Sequence, residues 1–158
     1  PARSEMCIRD RFMTSTNNTK KNLSVVYSFE GRWECPLRRG EISVFFRKRR
    51  PREIPKKVFF YVGVPIKSII GFAKVTSVSE ISLEEAIMIR GSGAITEVEL
   101  EKYIGRGGSV NSIHIDGLNI FDRPVPLVEL KEDFGFNPPQ SFSILDASFE
   151  AALLESAK

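Results

Sequence analysis

Arg47-Lys48-Arg49-Arg50-Pro51-Arg52 sets five cations and a proline between two apolar runs, Val44-Phe45-Phe46 and Val58-Phe59-Phe60-Tyr61-Val62. Guanidinium groups present rigid forks of N–H donors that match phosphate oxygens two at a time. A proline-stiffened connector of this kind suits anion binding, and the anion we expect is a nucleic-acid backbone. Trp33 and Tyr61 add aromatic faces on which a base could stack. The plain alternative for any such run is a solvated charged face.

The charge is unevenly spread. The net charge is only +3, yet Arg32 to Lys57 holds ten Lys/Arg against Glu34, Glu41 and Glu53, an excess of seven positive charges. Thr76 to Phe134 runs the other way, with eleven Asp/Glu against five Lys/Arg. A chain so divided is dipolar, with one part suited to phosphate. Most catalytic signatures are missing: there is no HExxH, no CxxC pair and no Walker lysine. His114 lies between Ile113 and Ile115 on an alternating stretch and should face away from the core. Gly105-Arg106-Gly107-Gly108 follows a helix where a phosphate loop follows a strand, and it reads as a turn, as does Gly91-Ser92-Gly93. Cys35 has basic neighbours in Arg38 and Arg39, but an inert thiol is the expectation. No cofactor or metal site is expected.

The elements that must position these groups follow from periodicity and caps. Leu23 to Phe29 alternates as a strand with Val25, Tyr27 and Phe29 on one side. Gly31 to Arg39 is a short helix stopped at Gly40, provided Pro36 lies in its first turn. Further strands are predicted over Ile42–Lys48, Lys57–Val62 and Ile69–Val78. Ser82-Leu83-Glu84-Glu85 and Thr96-Glu97-Val98-Glu99 are capping boxes that start helices to about Ile89 and Tyr103. Val110–Ile115 alternates as a strand, Asp116-Gly117 is a turn signal, and Ile120-Phe121 and Val125–Leu130 supply further strand interrupted by Pro124 and Pro126. Asn137-Pro138-Pro139 must be extended or turned, and Ala147–Ser156 a C-terminal helix. Short strands with helices inserted between them predict an α+β fold on a small, partly open barrel.

The 158 residues, 42% hydrophobic and 27% charged, describe one globular domain. Residues 1–22 read as a polar lead-in, 23–146 as the domain and 147–158 as a tail. Met6-Cys7-Ile8-Arg9-Asp10 matches one frame of the sequencing-library adapter AGATGTGTATAAGAGACAG, so residues 1–12 read as translated technical DNA with the natural start at Met13. Cys35 then stands alone, which fits a reducing cytoplasm. No apolar run reaches the length that spans a bilayer.

From Ser28 through Gly40-Glu41 to Phe46-Arg47-Lys48-Arg49, the chain resembles the opening of ASCH domains in the PUA-like superfamily. Val58-Phe59-Phe60-Tyr61 and Pro65 to Ala73 resemble the strands that follow. Pro138-Pro139-Gln140-Ser141-Phe142 is similar to the closing motif of an archaeal and bacterial subgroup labelled as predicted transcriptional regulators. The resemblance covers about Leu23 to Leu145. It implies a PUA-like β-barrel with a cleft beside the first helix, binding RNA or a modified nucleotide in a regulatory role, with DNA also open. Some small ASCH proteins are similar to amidohydrolases of acetylated cytidine that use a lysine and a threonine; the matching positions here are Ile42 and Phe45, which can neither shuttle a proton nor attack. The expected nucleic-acid contacts are Arg47, Lys48, Arg49, Arg50 and Arg52 for phosphates, with Arg32, Trp33, Gln140 and Ser141 lining the cleft. Two other readings stay open: an enzyme using Glu41 as base with Arg47 holding an oxyanion, and a regulator acting through a protein partner on the acidic helices Ser82 to Tyr103.

Overall fold

A computed structural model describes residues 23–158. The suspected adapter segment and the polar lead-in lie outside the described residues. Six strands form one mixed sheet in the order β2-β5-β4-β3-β1-β6. They are β1 (Ser24–Phe29), β2 (Val44–Arg47), β3 (Lys57–Val62), β4 (Ser68–Ser82), β5 (Ser109–Pro126) and β6 (Phe142–Leu145). The β1/β3 pair is parallel and the other neighbours are antiparallel. The edge strands β2 and β6 do not pair, so the sheet is barrel-like without closing. This is the expected α+β architecture.

Period-two alternation decides which side chain goes to which face. Val25, Tyr27, Phe29, Val58, Phe60 and Val62 form the core on one face, and Val26, Phe59 and Tyr61 belong to the core on the other. The first core is open at the cleft described below. The second is covered by α4 (Leu127–Phe134) and α5 (Ala147–Ser156) through Leu130 and Leu153. Glu150 ties α5 to the sheet by accepting from Ser24 Oγ at 2.6 Å and from Lys57 Nζ at 2.7 Å. Both predicted capping boxes form, starting α2 (Leu83–Met88) and α3 (Glu97–Ile104). These helices pack Leu83, Ala86 and Leu100 on Val44, Phe46 and Val110. They cover the sheet as well as carrying acidic surface.

The short first helix is a 3₁₀ turn, Gly31–Trp33, continued by α1 (Glu34–Arg38). Pro36 lies in the first turn of α1, where no intrahelical N–H is needed. Gly40 ends the segment at φ +71°. The predicted strand Ile42–Lys48 is shorter, Val44–Arg47, whereas Ile69–Val78 lengthens to the whole of β4.

Two expectations fail after residue 115. Asp116-Gly117 is no hairpin turn but a bulge within β5: three steps from Asp116 to Asn119 oppose two on β4, and Gly117 takes up the extra residue at φ +63°. Val125–Leu130 is strand only at its first two residues, because β5 ends at Pro126 and Leu127 starts α4. The apolar spacing Leu127, Leu130, Phe134 is helical and turns onto the second core. Pro124 is tolerated because the β4/β5 register shifts between Ile69/Gly71, where Val125 and Ile120 are the partners and Pro124 lies in the surplus.

Candidate functional site

The loop between β2 and β3 is pinned at both ends. Asn111 Nδ2 donates to the carbonyls of Arg47 and Lys48, both at 3.2 Å, and the Lys48 N–H donates to Tyr103 Oη at 3.0 Å. Tyr27 Oη donates to the Arg49 carbonyl at 2.9 Å, and burial pushes this phenol up. Pro51 and Pro55 are buried, while Lys48, Arg49, Arg50 and Arg52 are exposed. The connector is a fixed cationic display, as its composition suggested.

Arg47 differs from the rest. By alternation it shares the side of β2 taken by Phe45 and turns inward onto the first core. Its Cζ lies 4.4 Å from the Phe29 ring centroid, 5.2 Å from that of Phe45 and 5.6 Å from that of Tyr27. Nη1 donates to the Phe46 carbonyl at 3.0 Å and Nη2 to the Ser28 carbonyl at 2.9 Å. Burial pushes its pKa down, opposed by the nearby Tyr103, Tyr27 and Glu30. A guanidinium starts so high that it stays charged. Among the described residues no carboxylate forms an ion pair with Arg47.

Arg47 lies in the lining of a cleft of about 550 Å³. Ile42 and Phe45, the positions matching a catalytic lysine and threonine, are apolar wall. The cleft also gathers Arg32, Trp33, Lys48, Arg49, Gln140 and Ser141, seven predicted site residues with Arg47. It does not gather Arg50, Arg52 or Tyr61. Arg50 lies beside a separate small apolar recess, and Arg52 is exposed away from the cleft. Tyr61 is buried on the opposite face against Phe136, ring centroids 6.0 Å apart, and cannot stack a base in the cleft. Glu41 does not line the cleft either; its carboxylate lies 3.6 Å from Arg39.

The mouth holds residues that sequence reasoning missed. Arg32 lies over the Trp33 ring at 4.1 Å and donates from Nη1 to Glu99 at 2.6 Å, with Glu30 at 3.6 Å. Glu99 accepts simultaneously from the Thr96 N–H in the capping box. That backbone bond, with smaller help from the Thr96 hydroxyl and Arg32, holds its carboxyl below the usual range. A depressed carboxylate contributes stability above its unfolded pKa and loses it as pH falls through the folded one. The latch is therefore made at neutral pH and opens only in acid. Tyr103, with Lys48 Nζ 5.1 Å from its ring centroid, and Gly93 complete the wall. A Cβ on Gly93 would lie 3.0 Å from Phe46 Cε2, so this turn is close packing against the cleft rather than a loose joint. A capping-box pattern and a glycine turn carry no sign that they will meet β2, and that is why these positions were not legible.

The fold and the cleft define a small α+β module on an open mixed sheet. The fold is that of an ASCH domain. Two structures of the ASCH protein of Zymomonas mobilis, one a serine-to-alanine variant, superpose with TM-scores of 0.78 and 0.77. They are 22% and 23% identical, covering 86% and 84% of this chain and 97% and 94% of theirs. The N-terminal domain of Staphylothermus marinus McrB is more distant, with TM-score 0.59 and 12% identity over 84% of this chain and 93% of that one. No protein-family model and no curated protein matches the sequence. Among the described residues no helix is long and apolar enough to cross a membrane, and no group of three or more His, Cys, Asp and Glu side chains could hold a metal ion.

Proposed function

We propose that this chain is a non-catalytic nucleic-acid-binding module of the cytoplasm that takes RNA or a modified nucleotide in a regulatory role. The observation that carries the reading is Arg47: a fixed cation in the cleft that makes no ion pair among the described residues, beside a rim of exposed cations. Desolvating a charge is costly unless something compensates it, and a bound anion or acceptor would do so. The apolar Ile42 and Phe45 speak for binding over hydrolysis.

Phosphate contacts give affinity that falls as salt rises, with a slope set by their number. Replacing Arg49, Arg50 and Arg52 together with serine should flatten the plot of log affinity for single-stranded RNA against log salt by about 2 units, at roughly 0.7 per lost contact. Fluorescence anisotropy of a labelled oligonucleotide measures this. Binding that ignores salt in the parent protein would defeat the reading.

The Arg32–Glu99 latch puts a carboxylate at the mouth of an anion site. Glu99→Gln removes that charge and loosens Arg32, so affinity for the oligonucleotide should rise severalfold at low salt and converge on the parent value at high salt. In the parent protein, the emission of Trp33, the chain's single tryptophan, should change in acid with a midpoint below the ordinary glutamate value.

A further inference from the structure

The floor and the rim of the cleft can hold different parts of a nucleotide. Arg47 cannot swing out to follow a ligand, because two of its N–H groups are spent on the Ser28 and Phe46 carbonyls and its plane is packed near Phe29. Of the five N–H groups of a guanidinium, three remain. Ile42 and Phe45 line the same cleft as core residues, 6% and 4% exposed, and offer a base a narrow apolar floor. A phosphate carried to the same depth would give up its water shell for one cation, while Lys48 and Arg49 offer it cations at the exposed rim.

On the nucleic-acid reading above, we infer that Arg47 is a specificity-determining residue: its remaining donors take the two-acceptor edge of a guanine, and the phosphates stay on the rim. A guanidinium donates and never accepts. Guanine presents O6 and N7, two adjacent acceptors, whereas adenine presents N7 beside an amino donor that would face another donor. The site therefore selects guanine over adenine by hydrogen-bond sense. Nothing in the apolar walls has to change.

The test uses the full chain and the emission of Trp33. GMP is expected to bind about tenfold tighter than AMP. The 7-deaza analogue of GMP, which lacks the N7 acceptor, should fall towards AMP. Arg47→Lys keeps the charge and loses the fork, so the GMP/AMP ratio should shrink to about twofold or less. The deaza comparison needs no substitution and decides the matter even if the variant folds poorly. Equal binding of GMP and AMP, with inorganic phosphate displacing both, would put a phosphate at Arg47 and overturn the inference. Salt-dependent oligonucleotide binding would survive that result. A protein that binds no oligonucleotide at any salt would instead remove the reading on which the inference rests.

Discussion

Replacing Arg47 with methionine is expected to lower affinity for single-stranded RNA by about 30-fold or more, while the thermal unfolding midpoint moves by only a few degrees. Losing a hydrogen-bonded charge at the centre of a binding site costs on the order of 2–5 kcal/mol, and 2 kcal/mol is already about 30-fold. The small effect on stability comes from cancellation. Methionine is long and adaptable enough to lie on Phe29 and Phe45 where the guanidinium lay, and its burial removes the desolvation cost of an unpaired cation. Against that, the Ser28 and Phe46 carbonyls lose a donor each, at about 1 kcal/mol apiece. Anisotropy and a melting curve on the same preparation give both numbers. A variant that melts far below the parent would show that Arg47 is there for the fold, and one that binds normally would show that the cleft is not the site.

Arg47 also marks where the sequence was read well and where it was not. Its place at the end of a strand, ahead of a stiff cationic loop, was legible from Val44 to Arg52. That it would turn inward was not read: Val44, Phe45 and Phe46 are all apolar and go to cores on both faces, so sharing parity with Phe45 became informative only once the structure separated those cores. The same parity argument, applied to Phe59-Phe60-Tyr61, would have sent Tyr61 to the far face with Phe59. Nearness in sequence to the basic loop misled there, since adjacent strand residues face opposite ways. Tyr103 and Glu99 lie more than 50 positions from β2 and reach the cleft only because α3 packs Leu100 on Val44 and Phe46. No local pattern encodes that contact. Asp116-Gly117 shows a third kind of limit: the dipeptide reports a positive φ, and a hairpin turn and a bulge require it equally. Pro126 was rightly read as a break, but Pro124 lies within β5 at a bulge, and whether a strand bulges or ends at a proline depends on the neighbouring strand, here β4.

The complementary result is expected from Gly71, where stability and binding should part the other way. A Cβ built on Gly71 would lie 2.4 Å from the Asn119 carbonyl oxygen and 2.9 Å from Ile120 Cα, both backbone atoms of β5. No rotamer change can relieve a clash with backbone, so β4 and β5 must separate at the bulge between Ile69/Gly71. Gly71 itself pairs with Phe60 and Ile120 of the first core, while Ile69, Phe72 and Phe121 beside the bulge belong to the second. Overpacking of this kind costs typically 1–3 kcal/mol and occasionally more, and a backbone-against-backbone contact belongs at the top of that range. Gly71→Ala should therefore lower the unfolding midpoint by about 5 °C or more. The strain falls on the face that also carries the cleft, but Gly71 does not line the cleft, and the loop carrying Lys48 and Arg49 is held by its own bonds to Asn111, Tyr103 and Tyr27. Measured well below its midpoint, the variant should bind RNA with the parent's affinity and salt slope. If Gly71→Ala weakens binding as much as Arg47→Met does at a temperature where it is fully folded, packing of the first core at the β4/β5 bulge is coupled to the cleft, and the cleft cannot be treated as an independently assembled site.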